Sequence, residues 1–283
     1  MSDAAKIETE SARPASGSDA RFAVLRKCSR IWAIASIHGS ADHLSGLHAA
    51  LGERYEPGDR FVYLGNYYGH GEKVLETVDE LLRFRRLILA QPPYTDLDDI
   101  VYLRGRQEEM WRKLLQLHFA GDCEEILDWM LAHGVRPTLH AYGGAEQQAR
   151  AAIMEGLLAV SRWTGQLRQS IRAHPGHNEF MTGFRRAAYT DDEAILFVSA
   201  GLDPARDLSD QEDGFWWNTQ GFGQIAEAGY GGFQRVVRGF EPAHEGIVET
   251  SSTLSIDGGA GFDGELHAVC LDRQGLIVDR VNA

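Results

Sequence analysis

The stretch Ile31–Gly71, IWAIASIHGSADHLSGLHAALGERYEPGDRFVYLGNYYGHG, decides the fold. Ile31–Ile37 is a short apolar run closed by His38-Gly39, the pattern of a buried strand. Ser40–Tyr55 then sets Leu44, Leu47 and Leu51 at helical spacing, and Arg60–Leu64 (RFVYL) is a second strand ended by Gly65. Further along, Gly71–Leu89 carries Val74, Val78, Leu81, Leu82 and Ile88 on one helical face, and Asp99–Leu103 (DIVYL) is a third strand ended by Gly105. Strand, helix, strand, helix, strand predicts parallel strands joined by right-handed crossovers. Ligands of such sheets bind in the loops at the strands' carboxyl ends.

From Gln107 to about Phe184 no β-rich run appears. This predicts a helical insert over about 107–187, broken at Gly121, Gly134–Pro137 and Gly143-Gly144. The β pattern resumes at Ala194–Val198, Gln234–Val237, Thr250–Ile256, Glu265–Leu271 and Gly275–Val281, the last two as a hairpin. These late strands are expected to form or complete a second sheet. Apart from Met1, residues 1–20 hold one large apolar side chain, Ile7, and predict a disordered tail before a single folded domain over 21–283.

The composition narrows the function classes. The chain has 283 residues, with 28 Lys+Arg against 41 Asp+Glu and a net charge of −13. That balance disfavours non-specific nucleic-acid binding and docking on an anionic membrane. No apolar run approaches the roughly 20 residues that span a bilayer, and no secretory leader is visible in the first 20 residues. Cys28, Cys123 and Cys270 stand far apart with no CxxC pair, which suggests reduced thiols in a cytoplasm. The 41 acids and 11 histidines are ample for a metal site; whether they stand where a metal needs them is the question.

The loops that follow the strands carry the decisive motifs. They read Ser36-Ile37-His38-Gly39, Gly65-Asn66-Tyr67-Tyr68-Gly69-His70-Gly71, Leu103-Arg104-Gly105-Arg106-Gln107-Glu108, Val198-Ser199-Ala200-Gly201 and Gly239-Phe240-Glu241-Pro242. In order and spacing they resemble the calcineurin-like metallophosphoesterases, closest to the branch of serine/threonine protein phosphatases and bacterial symmetrical diadenosine tetraphosphatases. That family's loops read D-x-H-G, G-D-x-x-D-R-G, G-N-H-E, V-H-A-G and G-H-T-P. Trp129–Gly143 and Ser255–Asp272 resemble two further framework stretches of the family, so the likeness runs from about Ile31 to Leu271. It implies an α/β fold, a four-layer α/β/β/α sandwich of two mixed sheets flanked by helices.

The same resemblance implies a two-metal centre that activates water and clamps a phosphate. Carried over residue by residue, that centre is altered almost everywhere. The metal-binding positions fall on Ser36, His38, Asn66, Arg106, Ser199 and Phe240, and only His38 keeps the family's residue. The general acid falls on Gln107, the residue that orients it on Gly69 and the phosphate-clamping arginine on His70; Glu108 alone matches in its loop. A permanent cation at Arg106 would oppose two metals by several kcal/mol, on the order of magnitude expected at low dielectric. Phe240 offers no donor at all. Arg106 and Phe240 are therefore expected to plug the former site, with Arg106 pairing with whatever acids remain.

The implied function is a catalytically silent metallophosphoesterase-like protein that acts as a binding or regulatory module for a protein partner, with no cofactor. One alternative is a residual phosphoesterase, with a single manganese-like divalent metal near His38 and Asn66. The other is a non-hydrolysing sensor of a phosphorylated metabolite, contacted by Arg104, Arg106 and His70. Three other features read as structural. His174 and His177 belong to a helix start, and Asp257 and Asp263 to a turn between strands. Phe215-Trp216-Trp217 is read as core, against an aromatic docking patch.

Overall fold

The computed structural model describes residues 21–92 and 97–283; the expected N-terminal tail lies outside them. The chain opens with β1 (Phe22–Leu25), β2 (Ile31–Ile34), α1 (Ala41–Arg54), β3 (Arg60–Tyr63), α2 (Val74–Leu89) and β4 (Ile100–Tyr102). The insert follows as α3 (Arg106–Leu114), α4 (Cys123–Met130), α5 (Arg136–Ala141), α6 (Glu146–Glu155), α7 (Leu157–Ala173) and α8 (His177–Thr182). Then come β5 (Ala187–Thr190), β6 (Ile195–Val198), α9 (Gly214–Trp217), α10 (Gly221–Ala228), β7 (Arg235–Arg238), β8 (Val248–Glu249), β9 (Thr253–Ser255), β10 (His267–Leu271) and β11 (Ile277–Asn282).

The strands form two mixed sheets, in the orders β11-β10-β2-β3-β4 and β1-β5-β6-β7-β9-β8. As expected, β2, β3 and β4 are parallel. The final hairpin departs from expectation. It joins the first sheet, because β10 runs antiparallel along the open edge of β2 and pairs Cys270 with Trp32. Every residue of β2 is buried, so its backbone needs partners on both edges. The second sheet gains two strands that the sequence pattern does not show, β1 and β5, which pair in parallel.

One core joins the sheets: Trp32, Ala33 and Ile34 of the first belong to the same apolar cluster as Phe197, Val237 and Leu254 of the second. A separate cluster of Leu196, Val198, Phe215, Trp216, Phe222 and Ile225 seats α9 and α10 on the second sheet. On the first sheet, His48 of α1 bonds the Tyr63 hydroxyl at 2.8 Å and stacks on Phe84 of α2 at 4.0 Å. Phe215 and Trp216 are thus core residues, as read from the sequence. His177 is likewise structural, taking the Tyr142 hydroxyl at Nδ1 (2.7 Å) at the start of α8. In the insert the chain kinks at Gly134 (φ 102°) and continues directly into α5. Among the described residues no helix is long and apolar enough to cross a membrane.

Backbone bonds lock the loops at the strand ends together. The amides of Ile37 and His38 donate to the Asn66 carbonyl at 3.1 and 2.7 Å, Ser36 donates to Gly239 at 3.0 Å, and Gly239 donates to Ser199 at 3.1 Å. Gly65 sits where three loops meet. Its φ is 92°, and a Cβ there would stand 2.7 Å from the Gly105 nitrogen and 2.9 Å from Ser199 Oγ. The Gly105 backbone cannot yield without moving a loop, and the left-handed conformation adds strain. Gly65→Ala is expected to lower stability by about 2 kcal/mol or more, read from the urea midpoint; a midpoint within error of wild type would show that the loops are not locked.

Candidate functional site

Glu108 builds the site's frame. Its side chain is buried, yet its carboxylate accepts backbone N–H groups from Asn66 (2.7 Å), Tyr67 (2.8 Å), Tyr68 (3.4 Å) and Gly105 (2.8 Å). These bonds satisfy a charge that would be costly alone in the interior. Burial still outweighs them and raises the Glu108 pKa. The carboxylate fastens the loop after β3 to the N-terminus of α3, so residues 66–71 and 104–108 are placed as one unit.

Within that frame Asn66 bonds two of the other altered positions, Ser36 and Gln107. Asn66 Nδ2 donates to Ser36 Oγ at 3.0 Å, and Asn66 Oδ1 accepts the Gln107 amide at 3.1 Å. Gln107 Nε2 donates to the His133 carbonyl at 2.8 Å. A Cβ on Gly69 would lie 2.3 Å from Gln107 Oε1. Glycine at 69 and glutamine at 107 are therefore a matched pair: the second side chain fills the room that the first vacates. His38, Asn66 and His70 all hold positive φ, at 51°, 55° and 50°. Strain of this kind persists only where the surroundings enforce it.

Around Arg106 the arrangement is aromatic. Its guanidinium carbon lies 5.0 Å from the Phe240 ring centre and 5.1 Å from that of Trp217. Trp217 in turn packs on Trp129 at 5.7 Å. Arg106 and Phe240 thus lie against each other, and the acids expected to pair with Arg106 are replaced by rings. Arg106 has no carboxylate partner among the described residues, and burial lowers its pKa. Two ring faces hold the cation in place of acids.

His38 is fully enclosed. Its ring meets His70 at 5.1 Å, Phe262 at 5.1 Å and Phe240 at 5.9 Å, all edge-to-face. Neither ring nitrogen has a hydrogen-bond partner, and the buried Ser199 hydroxyl also lacks one. Phe262 stacks on His244 at 4.5 Å, and His244 Nδ1 bonds Asp257 Oδ2 at 2.9 Å. Asp257 also takes the backbone amides of Glu241 and Gly259, so it closes a turn as expected. Arg104 stands apart from this group: it pairs with the buried Glu109 at 3.3 Å and lies over Trp216 at 5.6 Å. The structure thus brings together Ser36, His38, Asn66, His70, Arg106, Gln107 and Phe240 but turns Arg104 elsewhere. Trp217, read with Phe215 and Trp216 as core, joins the group, and so do His244 and Phe262, which the sequence did not single out. For Phe262 a signal existed in its glycine-rich stretch, since a Cβ on Gly261 would stand 2.5 Å from that of His38.

Solved structures share this architecture. One, assigned as a diadenosine tetraphosphatase, aligns with a TM-score of 0.56 at 16% identity over 93% of this chain and 98% of that one. A serine/threonine phosphatase from Saccharomyces cerevisiae aligns with a TM-score of 0.51 at 10% identity over 93% of this chain and 82% of that one. The fold is that of the calcineurin-like metallophosphoesterases. No family model matches the sequence, and neither does any curated protein.

Metallophosphoesterases normally use divalent metals, and the residues at those positions here do not fit a pair of them. No carboxylate stands at any of the six. Both ends of the Asn66 amide are engaged, Arg106 contributes a fixed cation and Phe240 an apolar ring. Among the described residues no three His, Cys, Asp or Glu side chains group as a metal set.

The histidines make the site sensitive to acid. Burial, helped by His70 and His244, holds His38 well below its usual range, and burial with His244, His133 and Arg106 lowers His70 to about 4. With its pKa near 4, His70 stays neutral in the folded protein at pH 5, while in the unfolded chain it takes up a proton below about 6.5. The unfolded state then binds more protons, so stability is full above roughly pH 6.5 and falls as pH drops toward 4. The urea midpoint should therefore be lower at pH 5 than at pH 7. His70→Asn, which tolerates φ near 50°, should shrink that drop; an undiminished drop in the variant would refute the assignment.

Proposed function

We propose that this chain is a metallophosphoesterase fold that has given up catalysis and serves as a binding or regulatory module. The observation that carries the reading is the Arg106 guanidinium seated between Phe240 and Trp217 at the place where the resemblance puts a metal ligand. A cation there repels the metals that would otherwise organise phosphoryl chemistry. The acid and clamp positions support the same reading. Gln107 has no titrating proton to give, and His70 has no guanidinium fork for a phosphate.

A protein partner is the proposed client. Met154, Leu157 and Leu158 are 89%, 61% and 67% exposed where α6 meets α7, a cluster of apolar side chains of the kind that marks contact surfaces. Cys28, Cys123 and Cys270 are free thiols, in keeping with a reducing cytoplasm.

A second reading rests on one observation. His38 has two unpartnered ring nitrogens, and an imidazole in that state is a competent donor for a single divalent metal. Metal analysis of the purified protein, paired with a manganese-supplemented assay on p-nitrophenyl phosphate, separates the two. The proposal expects no stoichiometric metal and no turnover above that of His38→Ala. Bound metal near one or two per chain, or turnover that His38→Ala abolishes, would overturn it.

A further inference from the structure

A cavity of about 360 Å³ opens between α3, α7 and α8, and none of the six former metal positions lines it. Its volume falls in the range of small-ligand sites. In a chain of net charge −13, four arginines converge on it: Arg104, Arg112, Arg168 and Arg172. One carboxylate faces them, Glu108, and its oxygens are already taken by four backbone N–H groups. Arg104 and Arg112 share the buried Glu109, at 3.3 and 2.6 Å. Arg168 donates to the Leu115 carbonyl, and among the described residues neither it nor Arg172 has a carboxylate partner. Burial, with Arg112 and Arg186 nearby, lowers the Arg104 pKa, an effect that an anion would reverse.

The wall carries a second, independent sign of a ligand. Tyr68 and Trp111 line the cavity and are 1% and 2% exposed, and the Tyr68 hydroxyl and Trp111 Nε1 have no hydrogen-bond partner. Buried polar groups are rarely left unmade, because each one orphaned costs stability. Phe184 and Met181 add apolar surface beside them. Guanidinium groups suit planar, bidentate recognition of phosphate or carboxylate, and ring faces suit a flat body.

We propose that this cavity binds a small organic anion, a phosphate or carboxylate group on a flat apolar body, with Arg168 and Arg172 meeting the charge and Tyr68 and Trp111 supplying the unpaired donors. The site is distinct from the former metal centre and does not depend on whether that centre is silent.

Calorimetric titration of the full chain with phenyl phosphate, benzoate, AMP and inorganic phosphate tests it. At least one of the three ring-bearing probes should bind and raise Tm by several degrees at saturation. Binding of phenyl phosphate or AMP without benzoate assigns a phosphate ligand, and benzoate alone assigns a carboxylate. Arg172→Glu, a change at an exposed side chain, should weaken binding by about tenfold or more, and Arg168→Gln should do the same. Three results would overturn the proposal: no ring-bearing probe binds, inorganic phosphate binds as well as the ring-bearing probes, or affinity is unchanged in both variants.

Discussion

The structure depends on one buried carboxylate. Glu108 takes the amides of Asn66, Tyr67, Tyr68 and Gly105, and so joins the loop after β3 to the helix after β4. Asn66, His70, Arg106 and Gln107 of the candidate site are carried on those two segments. Asn66 faces Ser36 because its loop is held, Gln107 reaches His133 because its helix is held, and Arg106 is delivered to Phe240 and Trp217 by the same turn. The carboxylate works through hydrogen bonds alone, so the frame needs no cation to hold its loops in place.

Around that frame the replacements are mutually fitted. In a two-metal centre, positive charge binds acidic loops to one another. Here no acid stands at the positions that the resemblance assigns to metal, and Asn66 bonds the Ser36 side chain and the Gln107 backbone amide instead. Gly69 leaves room that Gln107 occupies. The one charge that remains among these positions, Arg106, rests on ring faces. Positive φ at His38, Asn66 and His70 marks loops whose strain is held in place by their surroundings.

Much of this was legible in the sequence, for identifiable reasons. Buried parallel strands such as Ile31–Ile34 announce themselves as apolar runs, and glycines mark where their loops must turn or approach closely. Ser36, Asn66, Gln107 and Phe240 were marked by the family resemblance that the loops carry in that order. The edge along which the last hairpin pairs did not, because alternation reveals a hairpin and not its neighbour. β1 and β5, FAVL and AAYT, escaped the reading. The company that Arg106 keeps was also hidden: Trp217 reaches it from a different layer of the fold, and no spacing rule connects the two.

We propose that this metallophosphoesterase-like scaffold stands on internal bonds, without metal. Thermal unfolding of the purified chain in EDTA and in a graded excess of manganese tests it directly, since a ligand that binds only the folded state must raise Tm with its concentration. The account predicts the same Tm in every sample. A Tm that falls in EDTA, or climbs steadily with manganese, would contradict it.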